Sequence, residues 1–158
     1  MQATLLKTHS QEIYAHMAYD EALLELARPD TCYLRFYDWA GKAPYAVSFG
    51  LAQAYAAVES LVRKKYGGVT LPLVRRLTGG GMVYHDGELT FSLIFPSTRL
   101  LSPTLIYRDI HFGIHLGLKA RGLMSRLWPR VSVGPAISEE CFSQPASEDL
   151  VHLDGVKF

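Results

Sequence analysis

Apolar residues early in the chain recur with a helical period: Ile13, Met17, Leu24 and Ala27, with Ala18, Leu23 and Leu26 beside them, until Pro29 breaks the run. The pattern predicts an amphipathic helix over residues 13–27. In residues 31–37 the period changes to two. Cys32, Leu34 and Phe36 alternate with Thr31, Tyr33 and Arg35, which predicts a half-buried strand whose even positions face the core, with Cys32 acting as a small core hydrophobe. Pro44 precedes a short apolar strand over 45–49, and Gly50 opens a helical segment over 51–66 that Gly67 and Gly68 terminate. Strand-like runs at 71–76 and 89–95 flank a glycine-rich stretch at 77–86. Ser102 and Pro103 form an N-cap and first-turn pair, and Ile106, Ile110, Ile114 and Leu118, with Leu105 beside them, carry a stripe at i+4 steps up to Gly122. Within this second long helix, Gly113 and Gly117 each cost roughly 1 kcal/mol against Ala unless something packs closely there.

After an irregular stretch at 128–135 and a polar loop around Cys141, Val151 and Leu153 alternate into Asp154-Gly155, the preferred pair for a two-residue hairpin turn. Val156, Lys157 and Phe158 begin the return strand. Three residues do not complete it, so the expectation is a fold unit cut short at its C-terminus and finished by further strand residues or by another polypeptide. There is no internal repeat or low-complexity linker, which places the predicted strands and helices in one mixed α/β domain.

Composition narrows the function classes. The chain of 158 residues is 49% hydrophobic and 20% charged, the balance of a soluble domain with a real core, and its net charge of +1 provides no general pull toward nucleic acid or an anionic membrane. Anion binding must therefore be local. No apolar run approaches the roughly 20 residues that span a bilayer, and the first ten residues lack a secretory h-region, so the expected address is the cytoplasm. Cys32 and Cys141 are too far apart in sequence to suggest a disulfide framework or zinc knuckle, and they read as separate thiols.

The strongest chemical signal is Arg75-Arg76-Leu77-Thr78-Gly79-Gly80-Gly81-Met82-Val83-Tyr84-His85-Asp86. Three glycines without Cβ atoms let a ligand approach the backbone, whose N–H groups can point at an anionic or carbonyl oxygen, and two arginines supply local positive charge. The spacing fits neither a Walker loop nor a dinucleotide fingerprint. On spacing alone the run is equally a wide strand connection. His111 and His115 stand at i and i+4, but no Glu completes a zinc motif, and no metal is expected. Asp20 and Glu21 read as solvated helix acids. Arg63, Lys64 and Lys65 complement a helix C-terminus or form a dock for an acidic partner. Trp39 and Trp128 read as packing residues.

Residues 75–86, continued by Gly87-Glu88-Leu89-Thr90-Phe91-Ser92-Leu93, resemble the Arg-Arg-x-Ser/Thr-Gly-Gly-Gly-x-x-x-His-Asp signature of the biotin/lipoate protein ligase family. Segments in the same order extend the resemblance over most of the chain: 17–24, the strand Leu34-Arg35-Phe36-Tyr37-x-Trp39, 47–53, Cys141-Phe142-x-x-Pro145, Asp149-Leu150 and Gly155-x-Lys157. The resemblance implies a mixed sheet flanked by helices, of the class II aminoacyl-tRNA synthetase and biotin synthetase type, in a single catalytic domain over 1–158. It implies an enzyme that moves an octanoyl or lipoyl group onto one lysine of a lipoyl domain or a glycine-cleavage carrier protein. Arg75, Arg76, Thr78, Gly79, Gly80, Gly81, His85 and Asp149 would then meet the substrate, with Lys157 polarising the acyl carbonyl.

The family holds two mechanisms. Ligases activate the free acid with ATP and Mg²⁺, whereas cysteine-dependent octanoyltransferases take the acyl group from acyl carrier protein as a thioester and need no cofactor. The Cys-Phe-x-x-Pro pattern resembles the octanoyltransferase loop, which makes Cys141 the expected nucleophile and Lys157 a cation able to lower its pKa. Glu148 departs from the pattern, because ligases often carry Asn there and transferases an aromatic. A non-catalytic module for acyl chains or an acceptor domain is the rival reading, and biotin ligation a weaker one, since no Gly-Arg-Gly-Arg-like loop is found.

Overall fold

The computed structural model describes residues 2–39, 46–97, 102–129 and 147–157. The chain divides into two compact units, Met1–Ser97 and Thr98–Phe158. In the first, strands β1 (Gln2–Lys7), β2 (Thr31–Tyr37) and β6 (Thr90–Ile94) form one sheet in the order β1-β2-β6, with β1 parallel and β6 antiparallel to β2. Strands β3 (Ala46–Phe49), β4 (Leu73–Arg75) and β5 (Val83–His85) form a second sheet in the order β4-β3-β5, again one parallel and one antiparallel pair. Helices α1 (Ile13–Glu25) and α2 (Tyr55–Lys65) complete the unit. This mixed α/β architecture is the one the chain's resemblance implies.

Strand β3 is the centre of the unit because all four of its residues are buried. Alternation sends them to two cores. Val47 and Phe49 pack with Val58 and Val62 of α2, Leu73 and Met82, while Ala46 joins Ile13, Tyr37 and Trp39 on the α1 side. The strand is covered on both faces, with Val47 and Phe49 apolar on one and Ala46 and the hydrogen-bonded Ser48 on the other.

The structure corrects the predicted facing of β2. Arg35 and Tyr37 are its buried side chains, and Cys32, Leu34 and Phe36 are only half-buried on the opposite face. The cause is a polar centre that hydrophobic periodicity cannot register. Fully buried Arg35 donates to the Asp20 carboxylate at 2.8 Å, to His16 Nδ1 at 2.6 Å and to the His16 carbonyl at 3.2 Å, and its guanidinium lies over the Tyr37 ring. A buried guanidinium needs such partners. The inward face of α1 is accordingly Ile13, His16, Met17, Asp20 and Leu23, whereas Leu24 and Leu26 are exposed. Asp20, expected to be solvated, is instead the counter-ion of the buried arginine and accepts from Ser92 Oγ at 2.7 Å.

In the second unit, α3 (Pro103–Ala120) packs against β7 (Arg126–Leu127) and β8 (Leu150–Val151), which pair antiparallel. The helix begins after Ser102 and ends before Gly122, whose φ of 76° stops it as the sequence suggests. Of its predicted stripe, Ile106, Ile110 and Leu118 are half-buried and Ile114 is exposed. The chain turns back at Asp154-Gly155, but with a loop one residue longer than the expected two: His152 N–H donates to the Val156 carbonyl at 2.8 Å and Val151 pairs with Lys157, so Leu153, Asp154 and Gly155 form the loop, with Gly155 at φ 92° in the left-handed position. No helix among the described residues is long and apolar enough to cross a membrane.

Candidate acyl-transfer site

Seven of the residues singled out by the sequence gather around one turn of the first unit. The turn joins β4 to β5 and is fastened to the segment after β3 along its length. Arg76 N–H donates to the Phe49 carbonyl at 2.8 Å, and Leu51 N–H to the Thr78 carbonyl at 3.0 Å. Between these two bonds the backbones come into contact. A Cβ built on Gly50 would lie 2.0 Å from the Gly80 carbonyl oxygen, so Gly50 is glycine because no side chain fits. Gly80 itself has φ 93°, a conformation that disfavours any other residue. On its other side the turn is open among the described residues: Thr78, Gly79 and Gly80 are exposed, and a Cβ on Gly79 would meet nothing described within 4 Å.

The two arginines do different work. Arg75 reaches outward to the segment after β3, donating to the carbonyls of Leu51 and Gln53 at 2.7 and 2.6 Å with its guanidinium over the Phe49 ring. Gln53 in turn accepts from Gly50 N–H at 3.0 Å. Arg76 curls back into its own turn and donates to the carbonyls of Gly79 at 3.2 Å and Gly81 at 2.8 Å, and to Ser48 Oγ at 2.8 Å. Arg76 thus fixes the backbone of the turn itself, and Arg75 that of the segment the turn is fastened to.

His85 is buried behind the turn. Its Nε2 lies 2.8 Å from Ser48 Oγ and its Nδ1 2.5 Å from Glu88 Oε1, and its ring is stacked on Trp39 with centroids 3.7 Å apart. Burial pushes the Glu88 carboxyl upward, but the hydrogen bonds from His85 and the Asp86 N–H outweigh it and hold the group below the ordinary glutamate range. Trp39 Nε1–H donates to Thr90 Oγ at 3.0 Å, which completes the packing around the imidazole.

Asp149 and Lys157 come together in the second unit. Lys157 Nζ lies 2.6 Å from Asp149 Oδ2, the Tyr107 hydroxyl donates to Asp149 Oδ1, and both members of the ion pair are nearly buried. The preceding Glu148 has φ 68°, the one positive-φ residue other than glycine among those described, and its carbonyl accepts from His111 Nδ1–H at 2.8 Å. Trp128 closes the corner, exchanging backbone hydrogen bonds with Glu148 and Asp149 and lying against Gly155. His115 is bonded to Ser125. Cys141, with the loop around it, lies outside the described residues.

Sequence reasoning passed over Gly50, Ser48, Glu88 and Tyr107. Gly50 and Ser48 sit in the 47–53 segment and Glu88 follows the His-Asp pair, so their positions were visible in the sequence. Their partners are 28 to 37 residues distant for Gly50 and Ser48, which spacing cannot reveal.

Comparison with known proteins gives the chain's family and fold. The chain is 38% identical over 125 residues to the octanoyltransferase LipM of Macrococcus caseolyticus, an alignment covering 76% of this chain and 44% of that protein. Lipoate-protein ligase A solved with ATP bound superposes with a TM-score of 0.67 at 28% identity, covering 96% of this chain and 57% of the other. A bi-partite lipoate protein ligase from Thermoplasma acidophilum, described with its E2 lipoyl domain, gives 0.62 at 32% identity over 80% of this chain and 48% of the other. The chain therefore spans about half the length of the relatives it matches. Residues 12–128, which include the whole glycine turn, match the Lipoyl protein ligase A/B catalytic domain, and the chain belongs to that family.

Proposed function

We propose that this chain carries out the acyl-handling part of protein lipoylation: transfer of an octanoyl or lipoyl group onto a lysine of a lipoyl domain or glycine-cleavage carrier protein. The observation that carries the reading is the exposed glycine turn. It combines open space beside Gly79 with two guanidinium groups bonded to the surrounding backbone, and a fatty acyl carbonyl can approach such a surface without a steric penalty.

Within that reading, the thioester route is favoured by the likeness to octanoyltransferases. The Cys141 thiolate attacks the carbonyl of an octanoyl thioester on acyl carrier protein and expels the carrier's thiolate. The acceptor lysine amine then attacks the new thioester, Cys141 leaves as thiolate, and the amine's proton is released as the amide forms. Lys157, oriented by Asp149 and Tyr107, is assigned the developing oxyanion. Arg75, Arg76, Thr78, Gly79, Gly80 and Gly81 line the acyl side in this account, and His85 backs them.

The likeness to an ATP-bound ligase favours a second route, in which the free acid is activated by ATP and the acceptor lysine attacks the mixed anhydride. Two donors separate the routes. With octanoyl carrier protein alone, the intact protein should gain about 126 Da, the mass an octanoyl group adds, and Cys141→Ser should not. Turnover confined to lipoate plus ATP, without an adduct, identifies the ligase route. Acyl binding without transfer from either donor overturns both and leaves a non-catalytic module.

A further inference from the structure

The line Glu88–His85–Ser48 has the spacing of an acid–base–nucleophile relay, at 2.5 and 2.8 Å, yet Ser48 cannot serve as a nucleophile. It is 1% exposed, and its oxygen already accepts from Arg76 NH1. The relay instead continues through that guanidinium into the turn, where Arg76 NH2 holds the carbonyls of Gly79 and Gly81. One arrangement of protons satisfies every link with an ionised Glu88 and a single proton on His85. The Glu88 carboxylate accepts from His85 Nδ1–H, His85 Nε2 accepts from the Ser48 hydroxyl, and the lone pairs of Ser48 face Arg76, which has donors only.

We propose that Ser48 and Glu88 are positioning residues: acting through His85 and Arg76, they fix the direction of the glycine-turn carbonyls, and hence the surface the turn offers to the acyl group. The chain is well built for this. Glu88 is anchored at its second oxygen by Asp86 N–H at 2.9 Å, and Trp39 stacks on the imidazole and blocks its rotation. A continuous chain of hydrogen bonds couples a change at either end to the other. Three glycines have no side chains of their own to restrict the backbone, so the Arg76 bonds to Gly79 and Gly81 add to the hold that the Leu51–Thr78 bond and the Gly50–Gly80 contact provide. The inference rests on the reading that the turn faces the acyl group.

The test uses the intact protein and the variants Ser48→Ala and Glu88→Gln. In the wild type, imidazole ¹⁵N shifts should report the His85 proton on Nδ1. In both variants, amide exchange at residues 79–81 should accelerate by about tenfold or more while amides of β3 and α2 keep their rates. With octanoyl carrier protein as donor and a lipoyl domain as acceptor, kcat/KM for the donor should fall by about 10-fold to 100-fold, with KM for the acceptor unchanged. A His85 proton on Nε2, or unchanged exchange at the turn, overturns the relay. Donor and acceptor constants falling together mark Ser48 and Glu88 as merely structural and also overturn it. A turn that loosens with no change in the donor constants overturns the acyl-facing reading of the turn instead, and the exchange rates tell these failures apart because they need no substrate.

Discussion

Glu148 is the residue whose chemistry least suits its backbone. A side chain with a Cβ at φ 68° is held there by the Asp149–Lys157 ion pair on one side and the His111 bond to its own carbonyl on the other. The family's ligases often place Asn at this position, and Asn tolerates the left-handed region. Glu148→Asn should therefore raise stability, by about 0.5–1 kcal/mol, read as a higher thermal midpoint; a lower midpoint would mean that the Glu side chain holds the corner. His16 sets a pH dependence. Burial, then the neighbouring Arg35 charge, depress its pKa below the ordinary 6.5, although the Asp38 carbonyl and the charges of Asp20 and Asp38 pull the other way. As pH falls below 6.5 the unfolded chain takes up this proton before the folded one does. The contribution is complete above that value and is lost below it. Denaturant titrations between pH 7.5 and about 5 should show stability falling with acid, and His16→Asn should flatten that slope even if it lowers stability throughout.

At the scale of elements, the sequence was legible wherever one strong local rule operated. The double-glycine stop after α2 and the Ser-Pro start of α3 are local signals and both are found; the Asp-Gly pair after β8 marks the turn, although its loop holds three residues rather than two. The facing of β2 and α1 was not legible, because the decisive group is Arg35. An alternation rule assigns a charged residue to solvent, and only the tertiary approach of Asp20 and His16 makes its burial tolerable. The glycine turn was legible as chemistry, but the Ser48–His85–Glu88–Arg76 network behind it was not, since β3 and β5 meet only in the fold. Two glycines make the contrast testable. Gly117→Ala adds a methyl group where nothing described lies within 4 Å, and should stabilise α3 by up to roughly 1 kcal/mol. Gly50→Ala puts the same methyl group onto the Gly80 carbonyl and should destabilise the fold and disorder the turn. Thermal midpoints moving in the same direction for both would contradict the packing described here.

For the molecule as a whole, what matters most is where the fatty chain arrives. Family membership is carried by residues 12–128, and every residue around the glycine turn falls inside that span. The most direct measurement is an amide ¹H–¹⁵N titration of the intact protein with octanoate or octanoyl-pantetheine. Shifts concentrated at residues 78–81 and in the adjoining Gly50 to Gln53 backbone, lost in Gly50→Ala, are the predicted result. Saturable binding that leaves those amides unmoved and perturbs another surface would contradict it.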